Sequence, residues 1–131
     1  MRGTLRTLAG VLAVLVGGGC SSDSSGPVAG TLTATVATAN QDGAMLLDIS
    51  GPNIGAVTAG SAAVQYVATR VVNATTVRIV VAGSLASGAL VTFAVPDVNA
   101  ASSYAATVVE VADRQNQLRS RLNEYTLSIA R

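Results

Sequence analysis

Thr76-Val77-Arg78-Ile79-Val80-Val81-Ala82, followed by Gly83 and the loop Ser84–Gly88, leads into Ala89-Leu90-Val91-Thr92-Phe93-Ala94-Val95. Successive side chains of an extended chain point to opposite faces. The first segment therefore turns Val77, Ile79 and Val81 inward and leaves Arg78 in solvent, while the second gathers Val91, Phe93 and Val95 on one face. β-Branched residues dominate both segments, as they do in half-buried strands. Pro96-Asp97 closes the second, because proline donates no hydrogen bond to a ladder. Neither segment carries the apolar period of a helix.

The same alternation continues on both sides. Thr31–Val36 places Leu32, Ala34 and Val36 together, and the turn Asn40-Gln41-Asp42-Gly43 leads to Ala44–Ser50, which points Met45, Leu47 and Ile49 inward. Gly51-Pro52-Asn53 ends that strand. Ala63–Arg70 sets Val64, Tyr66 and Ala68 on one side. In Tyr104–Ala112, Val109 and Val111 share one face and Ala106, Val108 and Glu110 the other. Glu124–Ala130 alternates Tyr125, Leu127 and Ile129 with Thr126, Ser128 and Ala130. Only Asp113–Leu122 (DRQNQLRSRL) lacks strand character and reads as a loop or a short helical turn. Short strands broken by regular turn signals predict an all-β protein: one antiparallel, immunoglobulin-like β-sandwich of seven to nine strands over residues 31–131.

The N-terminus is built differently. Arg2 and Arg6 precede the apolar run Leu8–Val16, then come Gly17-Gly18-Gly19, Cys20 and Ser21-Ser22-Asp23-Ser24-Ser25-Gly26-Pro27. The run is far shorter than the roughly 20 residues a membrane-spanning helix needs, so it reads as a cleaved export signal. Residues 20–30, rich in serine and glycine, read as a flexible tether. The order of basic start, apolar core, small residues and cysteine resembles a bacterial lipoprotein signal peptide over residues 1–19, with Gly17 where leucine is usual. That resemblance implies lipid attachment at Cys20 and a place in the cell envelope. Ser21 and Ser22 resemble the sorting signal for the outer membrane of Gram-negative bacteria.

Composition narrows the chemistry. The chain has one cysteine and no histidine, and its eight basic residues are all arginine. Without the leader's two, six arginines face seven acidic residues, so no basic patch marks a nucleic-acid or anionic-lipid surface. The commonest general base and metal ligand is missing, as are a G-x-S-x-G elbow and a glycine-rich phosphate loop. The reading is therefore non-catalytic, with no cofactor and no metal. A two-carboxylate glycosidase would have to draw on Asp42, Asp48, Asp97, Glu110, Asp113 and Glu124. Of these, Asp42 and Asp97 read as turn residues, and Asp48 and Glu110 as parts of solvated faces.

Val77–Gly83, the Ser84–Gly88 loop and Ala89–Val95 together look like the paired strands of cohesin-like domains, sandwiches related to carbohydrate-binding modules. The resemblance implies a binding role, toward an envelope protein or an extracellular polysaccharide. Tyr66, Tyr125 and Phe93 fall on inward faces, which leaves Tyr104 as the exposed aromatic for sugar stacking. Arg114, Arg119 and Arg121, with Gln115, Asn116, Gln117 and Asn123, form the one concentrated polar stretch and the expected contact surface for a protein partner. The sequence thus predicts a lipid-anchored protein-binding or structural module, with a carbohydrate-binding module as the alternative and a small glycoside-active enzyme behind both.

Overall fold

The computed structural model describes residues 26–131; the leader, Cys20 and the first part of the tether lie outside them. Eight strands follow in order: β1 Gly30–Ala37, β2 Asp42–Ser50, β3 Val57–Ala59, β4 Val64–Asn73, β5 Thr76–Leu85, β6 Gly88–Val95, β7 Ala105–Asp113 and β8 Thr126–Ala130. They build two four-stranded sheets, β3-β6-β1-β8 and β4-β5-β2-β7, with every pairing antiparallel. This is the two-layer sandwich that alternation requires when each sheet has one apolar face to bury.

The inward faces mesh as expected along β1, β2 and the central parts of β5 and β6. Leu32, Ala34, Leu47, Ile49, Ile79, Val81, Val91 and Phe93 are fully buried. Fully burying a valine, leucine, isoleucine or phenylalanine side chain stabilises by about 1.5–3 kcal/mol, so this layer is what holds the two sheets together. Short additions complete the fold. β3 pairs with β6 through Val57↔Phe93, and a 3-10 segment at Val98–Ser103 is capped by Asp97, whose Oδ1 accepts from Asn99 N at 3.0 Å. Val28 ties the chain entry to this segment: its N–H donates to Asp97 Oδ1 at 3.2 Å, and its carbonyl accepts from Val98 N at 2.8 Å.

Three expectations need correction. β5 and β6, read as partners, belong to opposite sheets: β5 lies between β4 and β2, and β6 between β3 and β1. β5 also runs on to Leu85, so the link between them is Ala86-Ser87. Tyr66 is not inward but 58% exposed. The β4–β5 register shifts between Val64 and Tyr66, opposite Gly83 and Ala82. The extra residue of that bulge, Gln65, turns the alternation over, so Val64 is buried while Val67 packs on the core. In β7 the register with β2 shifts between Leu46 and Leu47, partners of Glu110 and Val108. Ala106, Val108 and Val111 therefore all face the core, where strict alternation had separated them.

Candidate interaction surface

Of the residues expected to make contacts, Tyr104 and Arg119 are drawn into the fold, while Arg114 and Arg121 stay at the surface. Tyr104 is 6% exposed. Its ring packs on Phe93 with centroids 5.6 Å apart, and its hydroxyl donates to the Asn53 carbonyl at 2.8 Å; it anchors the core and cannot stack on a sugar. Tyr125 is buried as expected. Arg114 and Arg121 are exposed, and Arg121 reaches only 4.0 Å from Glu124.

Arg119 is committed to the fold. Asp42, read as a turn residue, is instead 1% exposed at the start of β2. Its Oδ1 accepts from Arg119 Nε at 2.8 Å and its Oδ2 from the Tyr125 hydroxyl at 2.7 Å. Asn40 Nδ2 donates to the same hydroxyl at 3.1 Å and to Glu124 at 2.9 Å. A buried carboxylate is tolerable only when paired and hydrogen-bonded in this way. Burial, and then the hydrogen bond to Asp42, push the Tyr125 hydroxyl above the usual tyrosine range, while that same carboxylate holds the Arg119 guanidinium yet more firmly protonated.

The polar stretch after β7 is correspondingly ordered. Asp113 Oδ1 accepts from the backbone N–H of Gln115 at 2.8 Å and of Gln117 at 2.9 Å. The chain then folds back along β7, with Arg119 N donating to the Val111 carbonyl at 2.8 Å and Ala112 bridging Leu118. This segment covers one end of the β7 edge, which would otherwise leave ladder groups unpaired.

The two outer faces of the sandwich differ in kind. On the β3-β6-β1-β8 sheet the outward residues of β1 and their neighbours are mostly hydroxyl-bearing: Thr33 sits beside Thr92, Thr92 beside Thr58, and Thr35 beside Ser128. Thr58 and Thr92 share a hydrogen bond of 2.6 Å. That face suits water.

The β4-β5-β2-β7 sheet turns out a largely apolar face. The ladder sets its side chains in rows across the strands. One row runs Tyr66, Ala82, Ala44, Ala112, with Leu118 beyond it. The next runs Ala68, Val80, Leu46, Glu110, and the third Arg70, Arg78, Asp48, Thr107. In the first row three alanines make a low floor between Tyr66 and Leu118, which is 69% exposed. In the third, Arg78 Nε and Nη2 donate to Asp48 Oδ1 and Oδ2 at 2.8 and 2.9 Å. That fork holds the Asp48 carboxyl below the ordinary carboxylate range. Two shallow depressions of ≈ 260 and ≈ 140 Å³ lie on this face, meeting at Leu46 and Val80. A larger one of ≈ 590 Å³, by Asn53, Ile54 and Pro96, has no ionisable side chain in its lining.

Among the described residues, four of the five large exposed hydrophobic ones stand at the margins of this sheet: Tyr66, Val71 and Val72 on β4, and Leu118 beside β7. Sequence reasoning missed the face because the β4 bulge hides Tyr66 from a period-two reading. The signal that could have found it was the run of small and apolar residues at outward positions, Ala44, Leu46, Val80 and Ala82. Among the described residues no helix is long and apolar enough to cross a membrane, and no three acidic, cysteine or histidine side chains cluster as metal ligands. No protein family, curated protein or solved structure matches this chain.

Proposed function

We propose that this protein is a non-catalytic binding module of the cell envelope, lipid-anchored through Cys20, which engages a protein through the outer face of its β4-β5-β2-β7 sheet. What supports the reading is the contrast between its two outer faces: threonine-lined on one sheet, and on the other alanine, valine and leucine between an exposed tyrosine and an exposed leucine. Contiguous exposed apolar surface with a polar rim marks contact sites. The carboxylates offer little to an enzyme reading. Asp42 is held by Arg119 and Tyr125, Asp48 is forked by Arg78, and Asp97 and Asp113 cap turns. The carbohydrate alternative rests on Tyr66, the exposed aromatic beside the alanine floor.

The test is crosslinking and capture with the tagged full chain in the cells that make it, comparing wild type with Val80→Glu and Arg114→Glu. Val80 is half-buried at the centre of the face, so a charge there blocks contact while leaving the core untouched. Loss of captured protein with Val80→Glu alone supports the reading. Loss with Arg114→Glu alone returns the contact to the segment after β7. Recovery of polysaccharide, lost on Tyr66→Ala, would instead establish the carbohydrate module.

A further inference from the structure

We infer that the partner seated on this face is a second copy of the same chain, packed sheet against sheet about a two-fold axis that runs along the strands. The inference rests on the reading of the face as a binding surface and deepens it. Such an axis leaves each row at its height and reverses its order from strand to strand. Val80 then lies over Leu46 of the second copy, Arg78 over Asp48, and Tyr66 over Ala112, because β5 exchanges with β2 and β4 with β7. These three pairings are favourable, and the carboxylate of Glu110, over Ala68 at the edge of the face, stays in reach of water. Branched side chain meets branched side chain, cation meets anion, and the largest residue meets the smallest. Each contact occurs twice, as an isologous interface requires.

Charge argues for a like partner rather than a charged one. The cationic side chains stand on β4 and β5 and the anionic ones on β2 and β7, so a face with Arg70, Arg78, Asp48 and Glu110 is neutral in sum and complementary to itself on reversal. Area fits a weak pair. Four strands about 4.8 Å apart and three rows about 6.8 Å apart cover on the order of 400 Å² per copy, so about 800 Å² in all, below the roughly 1,000 Å² of stable interfaces and in the range of weak, transient ones. Packing two sheets face to face at about 10 Å is the way sandwiches already build their cores. Copies confined to one membrane surface would meet at high effective concentration.

The test co-expresses two differently tagged full chains and measures recovery of one with the other from detergent-extracted membranes. A chain carrying both Arg78→Asp and Asp48→Arg keeps its internal ion pair, and so its fold, but reverses the charges it offers a partner. It should recover itself as wild type does, and recover wild type at least tenfold less, while Val80→Glu abolishes recovery altogether. Equal recovery of wild type by the swapped chain would overturn the inference. So would absence of self-recovery, and if Val80→Glu still removed another captured protein, the face would stand as a binding surface with a different occupant.

Discussion

Gly83 decides whether the face exists in the form described, and replacing it gives a quantitative test. Its φ is +153°, a region that side-chain-bearing residues rarely adopt, and it sits opposite the β4 bulge. A methyl group there would overlap the Ala63 carbonyl oxygen, with Gln65 N 3.0 Å and Ala63 C 3.2 Å away. Gly88 is the control, with a φ of +144° and nothing within 4 Å of the added methyl. Both Gly→Ala changes carry the dihedral strain of about 1–3 kcal/mol, offset by about 0.4–1 kcal/mol from the stiffer unfolded chain. Only Gly83→Ala must also push the Ala63 backbone away, which sacrifices the hydrogen bond from Ser84 N to the Ala63 carbonyl at 3.0 Å, about 1 kcal/mol, together with the packing around it. We expect a loss of about 3–5 kcal/mol for Gly83→Ala against about 1–2 kcal/mol for Gly88→Ala. For a domain of this size each kcal/mol moves Tm by about 4–8 °C. Urea unfolding followed by far-UV circular dichroism, cross-checked by thermal melts, reads both. Equal losses at the two positions would refute the close approach of Gly83 to the bulge, and with it the reason Tyr66 points outward.

Asp42→Ala removes the acceptor of two charge-assisted bonds and should cost about 2 kcal/mol or more, measured by the same urea titration; Arg119, one-third exposed, can turn to water. Tyr104→Phe loses only the bond to the Asn53 carbonyl, about 1 kcal/mol, whereas Tyr104→Ala opens the core beside Phe93 at about 3–5 kcal/mol; neither changes binding at the outer face in capture assays run below the melting point. Stability should fall at both ends of the pH scale. The raised Tyr125 value means its contribution is whole below the ordinary tyrosine pKa and is lost as pH climbs through the raised one. The lowered Asp48 value means its contribution is whole above the ordinary carboxylate pKa and is lost as pH drops through the lowered one. Melts from about pH 3 to about pH 11 should show a plateau between, with the alkaline arm weakened in Tyr125→Phe.

The layers of the fold were legible because the central strands keep strict alternation. Leu32, Ala34 and Val36, Met45, Leu47 and Ile49, and Ile79 and Val81 all lie where a period of two places them. The partner of β5 was not legible. Adjacent strands in sequence are usually neighbours in space, but a two-residue link carries the chain from one sheet to the other, and nothing in Ala86-Ser87 distinguishes that step from a hairpin. β3 escaped notice because three residues bear no measurable period. At the candidate site the failures share a cause. Asp42 before Gly43 has the composition of a turn, and only the distant Arg119 and Tyr125, 77 and 83 residues away, make it a buried anion. Tyr104, at the start of its strand, is drawn inward by Phe93 and by the Asn53 carbonyl, 51 residues away. Such long-range pairings leave no local trace.

The bulges carry the functional consequence. A bulge inserts one residue, and one residue is enough to exchange the faces of everything beyond it. Had β4 kept its register through Gln65, Tyr66 would be a core residue and Val67 would stand in solvent. The outer row would then end in Gln65, with no aromatic rim above Ala82, Ala44 and Ala112. Had β7 kept its register through Val109, that valine would stand beside Leu46 and Glu110 would fall opposite Met45, placing a carboxylate in the core. Both irregularities therefore act in the same direction: each keeps its strand's apolar side chains on the core, and each delivers a polar or amphipathic side chain, Tyr66 or Glu110, to the margin of the outer face. A surface that reads as core-like in its centre and amphipathic at its edges follows from two inserted residues. It depends on Gly83, because only a residue without a side chain lets the β4 bulge close against β5.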